Sequence, residues 1–77
     1  ATTRVTWFLE GMINHHGGAL QMAHDALAQS TNPTIRRMAR SIIVAQRREI
    51  INLRRMLRRD GLEKSEYVQF DHLFTVK

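Results

Sequence analysis

An all-α fold, an antiparallel two-helix hairpin followed by a short C-terminal segment, is predicted by three features of the sequence. Apolar residues recur at spacings of three and four from Val5 to Leu27 and again from Ile35 to Leu57, the period of a helix with one buried stripe. One strong breaker, Ser30-Thr31-Asn32-Pro33, separates the two runs, and so short a connection sets the helices side by side and antiparallel. Both apolar faces are wider than a single helix-helix contact covers, so two hairpins are expected to pair as a homodimer and complete a four-helix bundle about a C2 axis. The 77 residues read as a single helical domain, 1–77, with long helices at about 4–29 and 33–60 and a tail at 62–77.

The first helix carries Val5, Phe8, Leu9, Met12, Ile13, Ala19, Leu20, Met22, Ala23, Ala26 and Leu27 at helical period. Gly11, Gly17 and Gly18 interrupt it, each costing about 1 kcal/mol against alanine. They fit either a local bend or the close approach of a ligand or another segment beside the histidines. The breaker supplies Asn32 as N-cap and Pro33 at the first position of the second helix. That helix is expected to turn Ile35, Met38, Ala39, Ile42, Ile43, Ala45, Ile50, Leu53, Met56 and Leu57 inward, and its arginines mostly outward. Gly61 ends it, with Leu62 supplying the usual hydrophobic contact of a left-handed cap. In the tail Tyr67, Phe70, Leu73 and Phe74 keep a helical period, whereas Val68, Phe70, His72, Phe74 and Val76 alternate as in a strand. A lone strand has no partner, which favours a short helix or an ordered arm packed on the helices.

A chain of this length buries only about 60% of its unfolded surface, and with no cysteine it lacks the usual staple. A bound metal or oligomerisation then becomes the expected source of extra stability. The segment Ala1-Thr2-Thr3-Arg4 lacks the sections of a signal peptide, and no apolar run is long enough to span a bilayer. A soluble protein without a transmembrane segment is expected. The formal charge is +5 and the pI about 11.1, with most of the positive charge in arginines between Arg36 and Arg59. Such a stripe is either a solvated face or a surface for nucleic acid or anionic membranes. Five aromatics without the spacing of a stacking platform argue against single-stranded nucleic acid.

The chemistry concentrates in Met12-Ile13-Asn14-His15-His16, with Met22 beyond it. Residues three and four apart share a helix face, so Met12 neighbours both His15 and His16. Across the hairpin, symmetry about Thr31 sets the two histidines opposite Gln46 and Arg47, with Glu49 one turn away. Ile35, Ile42, Glu49 and Met56 share one heptad position, which sets a carboxylate in an apolar row, where it is expected to be partly buried. Buried carboxylate and imidazole each cost several kcal/mol unless paired or coordinated, so the two are expected to meet. They do so either as ligands of a metal or as a metal-free polar layer of His, Gln46 and Glu49 that fixes register. Met22, Met38 and Met56 taken singly suit core packing. His24 falls on the outward face and Asp25 beside it is solvated in this reading, while His72 lies in the tail. Ser41 and Ser65 have no histidine partner for nucleophilic catalysis, and no Glu-x-x-His motif of a di-iron carboxylate centre faces the bundle. Binding rather than turnover is expected. Soft sulfur with imidazole favours Cu(I) over iron or magnesium, other transition metals remaining open.

Phe8-Leu9-Glu10-Gly11-Met12-Ile13-Asn14-His15-His16, then Ala19, Met22-Ala23 and Gln46-Arg47-Arg48-Glu49-Ile50, resemble the ferritin-like helical family catalogued as domain of unknown function three hundred and five. The resemblance runs from about Phe8 to Leu57. It implies an exported bacterial protein, periplasmic, cell-surface or secreted, built as a four-helix bundle. It further implies copper binding through Met12, His15, His16 and Met22, with Gln46 and Glu49 in a polar layer as ligands or as partners that orient them. The chain departs from the family pattern in having Asn14 where proline often precedes the paired histidines. Leu53 and Met56 stand where methionine and tryptophan are common. The functions weighed are therefore Cu(I) buffering, storage or resistance, a metal-free interaction domain, and a nucleic-acid-binding hairpin using the arginine face.

Overall fold

In a computed structural model, which describes residues 3–61 and 65–75, two α-helices of equal length lie against each other. Helix α1 spans Thr3–Gln29, helix α2 spans Pro33–Arg59, and a 3-10 segment, Ser65–Leu73, follows. The whole measures 45 × 19 × 15 Å, the shape of two helices of about 40 Å lying side by side.

The turn forms as its residues dictate. The Asn32 side chain accepts hydrogen bonds from the backbone N–H of Thr34 (2.9 Å) and Ile35 (3.3 Å), covering two donors that a helix start leaves open, and Pro33 occupies a position where no donor is needed. The end of α1 carries no basic residue of its own. Arg36 reaches back from α2 instead, donating to the carbonyls of Leu27 (2.5 Å) and Ser30 (3.1 Å), so a cation sits where the α1 dipole is negative. At the far end Gly61 takes φ 72°, a conformation glycine adopts without steric cost, and its N–H donates to the Arg58 carbonyl at 3.0 Å. The contact expected of Leu62, and the part of the tail at Val76, lie outside the described residues.

The core is a seam. Leu9, Ile13, Leu20 and Leu27 of α1 and Ala39, Ile43, Ile50 and Leu57 of α2 are buried, and in each helix they are spaced four, seven and seven residues apart, the period that keeps one row facing a partner helix. The tail closes one flank of this seam as an ordered arm. Leu73 is buried, with Phe70 and Phe74 packed on the core. Phe70 lies directly against Gly17, so closely that a Cβ there would meet its ring. Among the three helical glycines this one has the close approach that glycine permits, whereas Gly11 and Gly18 face open space.

Three polar ties hold the arm. Arg47 donates to the Phe74 carbonyl (3.0 Å), Arg54 to Asp71 Oδ1 (3.1 Å), and His24 Nε2–H to the Leu73 carbonyl (2.7 Å). His24, expected to be solvated, is thus half-buried beneath the arm, because the arm covers a flank of α1 that a two-helix reading leaves in water. Arg36, Arg47 and Arg54 are likewise not outward but half-buried.

The other flank is open, and here the structure corrects the expected inward set. Ile35, Met38, Ile42 and Met56 are exposed, as are Val5, Phe8 and Met22. The seam of one hairpin has room only for the central ridge of each helix, so the second apolar row of each faces outward. The described residues show the all-α hairpin and the packing of its two helices.

Candidate metal centre

The open flank holds a pocket of about 200 Å³ lined by Phe8, Met12, His16, Glu49, Asn52, Leu53 and Met56. Its α1 wall, Phe8, Met12 and His16, repeats every four residues, which keeps the three side chains on one face. Its α2 wall, Glu49, Asn52, Leu53 and Met56, follows the same three-and-four rule.

Among the described residues His16 is the single polar one that is buried, 6% exposed. Its ring is held at both nitrogens. Nδ1 lies 2.6 Å from the Met12 carbonyl, and because a carbonyl only accepts, Nδ1 carries the hydrogen. Nε2 is thereby turned toward α2, where it meets Glu49 Oε2 in a short contact. With Nδ1 protonated, a bond between Nε2 and a carboxylate requires a second proton between them. Either the imidazole is charged and the contact is an ion pair, or the carboxyl is protonated. In both cases a proton lies between a buried imidazole nitrogen and a carboxylate oxygen.

Glu49 is more open than its apolar row suggested, since its side chain remains 59% exposed while its carboxylate reaches His16. It also pairs directly with His16 rather than lying one turn away, the length of its side chain spanning the offset. Gln46, a turn before it, is half-buried and is not among the residues that line the pocket.

The remaining sequence-derived candidates are distributed differently. Met12 is half-buried and in the pocket wall. His15 is exposed, its ring centroid 6.1 Å from that of His16, and Met22 is 73% exposed, about 15 Å along the helix from Met12. Neither lines the pocket in one chain. Among the described residues no group of three or more His, Cys, Asp or Glu is gathered, so a metal held within one hairpin would depend on thioethers as well as on His16 and Glu49. Met56 supplies one that sequence reasoning assigned to packing. The signal for it was present, since Met56 shares a heptad position with Glu49.

Sequence comparison bears directly on this constellation. The family described as domain of unknown function (DUF305) matches residues 5–74. The chain belongs to this family. The match to DUF305 covers both helices, the turn and most of the arm, including every residue of the pocket. No curated protein and no solved structure matches the chain significantly. The family description names no activity, so the chemistry of the pocket has to carry any functional reading.

Proposed function

We propose that this DUF305 protein binds Cu(I) between its two helices, in the pocket walled by Met12, His16, Glu49 and Met56, and that it serves copper buffering, storage or resistance in an exported setting. The observation that carries the reading is the composition of that pocket. Two thioethers, one oriented imidazole and one carboxylate share its walls, otherwise formed by Phe8, Asn52 and Leu53. Thioether and imidazole are soft-to-borderline donors that suit Cu(I) over hard cations. The His16–Glu49 contact already holds a proton between nitrogen and oxygen, and the Met12 carbonyl fixes the tautomer that leaves Nε2 as the ligating nitrogen. Bound there, the metal would replace the proton at Nε2, and Glu49 would remain to offset its charge.

The proposal includes a second copy. The surface of the chain is 5446 Å², against about 4,900 Å² expected for a folded monomer of its mass, and the excess is of the order that one partner loses in a standard interface. Met12 and Met56 line the pocket on the flank that the arm leaves uncovered, and Met22 and Met38 are exposed. Pairing two such flanks would form a four-helix, ferritin-like bundle and draw further donors, His15 and Met22 among them, toward the centre. His16→Gln should weaken Cu(I) in anaerobic competitive titration with the fold retained, and unchanged affinity would remove the pocket from the account.

A second reading has its own observation. Both ring nitrogens of His16 are satisfied by protein partners, which suffices for a register-fixing polar layer in a metal-free interaction domain. An NMR spectrum unchanged by stoichiometric Cu(I) would favour it.

A further inference from the structure

The outer face of α2 is unlike any other surface of the molecule. Ten of the twelve Lys and Arg residues are arginine, and nine of these lie on α2. Arg36, Arg47 and Arg54 are tied to the turn and the arm. Arg37, Arg40, Arg48, Arg55 and Arg59 are exposed and make no hydrogen bond or ion pair among the described residues. At 3.6 residues per turn these five fall within roughly 100° of the helix circumference, opposite the buried ridge, and form a straight row of about 33 Å. The one carboxylate within α2, Glu49, is on another face and engaged with His16.

The row is costly to the free helix. Arg37 and Arg40, three residues apart, and Arg55 and Arg59, four apart, are like-charged neighbours at spacings that weaken an isolated helix. Arginine in place of lysine adds a planar fork of donors matched to phosphate oxygens. A shallow depression also opens midway along the row, lined by Arg40, Ser41, Val44, Ala45 and Arg48. Two guanidinium groups and a hydroxyl thus surround a partly apolar floor, a setting for a phosphodiester headgroup.

We propose that this face docks the protein on an anionic phospholipid surface. A flat bilayer presents phosphates to all five arginines of a straight row at once, whereas the phosphates of a duplex wind away from a straight rod. Beyond arginine contacts to guanine, the residues on this face, Ser41, Val44 and Ile51, add one hydroxyl and no amide or carboxylate with which to read adenine or cytosine edges. Among the described residues no helix is long and apolar enough to cross a membrane, and the contact proposed for this face is peripheral and electrostatic. It is independent of any metal.

The test uses the full chain and sedimentation with vesicles, either of phosphatidylcholine alone or of phosphatidylcholine mixed with phosphatidylglycerol, at about 0.1 M salt. Binding is expected only with phosphatidylglycerol present, and should fall as salt rises. Each arginine near the surface contributes about fivefold, so Arg37→Gln, Arg40→Gln, Arg48→Gln together should lower binding on the order of a hundredfold. Arg55→Gln, Arg59→Gln samples the other end of the row and should lower it about twenty-five-fold. A control that removes the same charge elsewhere, Arg4→Gln, Lys64→Gln, Lys77→Gln, should bind nearly as the parent. Equal binding to neutral vesicles, an equal loss in the control, or tighter binding to duplex DNA than to phosphatidylglycerol vesicles at matched salt would each overturn the assignment.

Discussion

Gly17→Ala and Gly18→Ala, adjacent and chemically identical changes, should move stability in opposite directions. Both replace a helical glycine, and on propensity alone each gains about 1 kcal/mol. Gly18 faces open space, so Gly18→Ala should keep that gain, raising the melting temperature by about 4–8 °C for a domain of this size. At Gly17 the new methyl would meet the Phe70 ring. The ring is held by a segment tied at Leu73, Phe74 and Asp71, so it cannot retreat without loosening the arm. Overpacking of this kind costs about 1–3 kcal/mol, which cancels or exceeds the propensity gain. Gly17→Ala should therefore melt at or below the parent temperature and about 1–3 kcal/mol below Gly18→Ala. The assay is thermal and urea unfolding by circular dichroism at one fixed concentration, because a dimer would make the midpoint depend on it. A cycle with Phe70→Ala isolates the contact, since in that background Gly17→Ala should become stabilising. Equal gains at both glycines in the parent chain would mean that the arm does not pack where the structure shows it.

Four further outcomes follow from the same contacts. Asn32→Ala should cost about 1 kcal/mol in denaturant unfolding by removing the cap to Thr34 and Ile35, and an unchanged midpoint would contradict that bonding. Leu20→Ala, at a side chain with no exposed surface, should cost about 2–5 kcal/mol by the same measurement. Arg54 and Asp71 should couple by no more than about 1 kcal/mol in a double-mutant cycle, because Asp71 is largely in water. For the proposed pairing of open flanks, Ile42→Glu, where Ile42 is 39% exposed, should leave the hairpin folded but convert a dimer of the parent chain to monomer by sedimentation, and a dimer surviving it would move the interface elsewhere.

The hairpin was legible because its determinants are local. The three-and-four periodicity, the Asn32-Pro33 start and the Gly61 stop each act within a few residues, and each sits where the sequence placed it. The His16–Glu49 contact was legible in part: a carboxylate in an apolar heptad row points to the facing imidazoles, but it sets Glu49 a turn away and more buried than its 59% exposed side chain is. What failed depended on distant chain. His24 was read as solvated because nothing within α1 announces that the arm will cover it. The glycines signalled a close approach, yet only Gly17 has one, and its neighbour, Phe70, is fifty-three residues away. Ile35, Met38, Ile42 and Met56 were assigned inward because a broad apolar face was equated with burial, whereas one hairpin covers only the central row. Met56 was set aside as packing when taken singly, and its place beside Met12 emerges only when both pocket walls are assembled.

In the proposed metal centre, Met12 and Met56 are the residues that would separate Cu(I) binding from generic imidazole chemistry. Replacing both by leucine preserves apolar volume and should cost folding no more than about 1.5 kcal/mol per site. Thioethers add affinity for Cu(I) and little for Zn(II), whereas imidazole serves both metals. The decisive measurement is anaerobic competitive titration of Cu(I), beside Zn(II), for the parent and for the Met12→Leu, Met56→Leu variant. The account predicts a Cu(I) affinity lowered by tenfold or more, about 1.4 kcal/mol or greater, with Zn(II) nearly unchanged; equal Cu(I) affinity in the two proteins would contradict it and leave the methionines as packing.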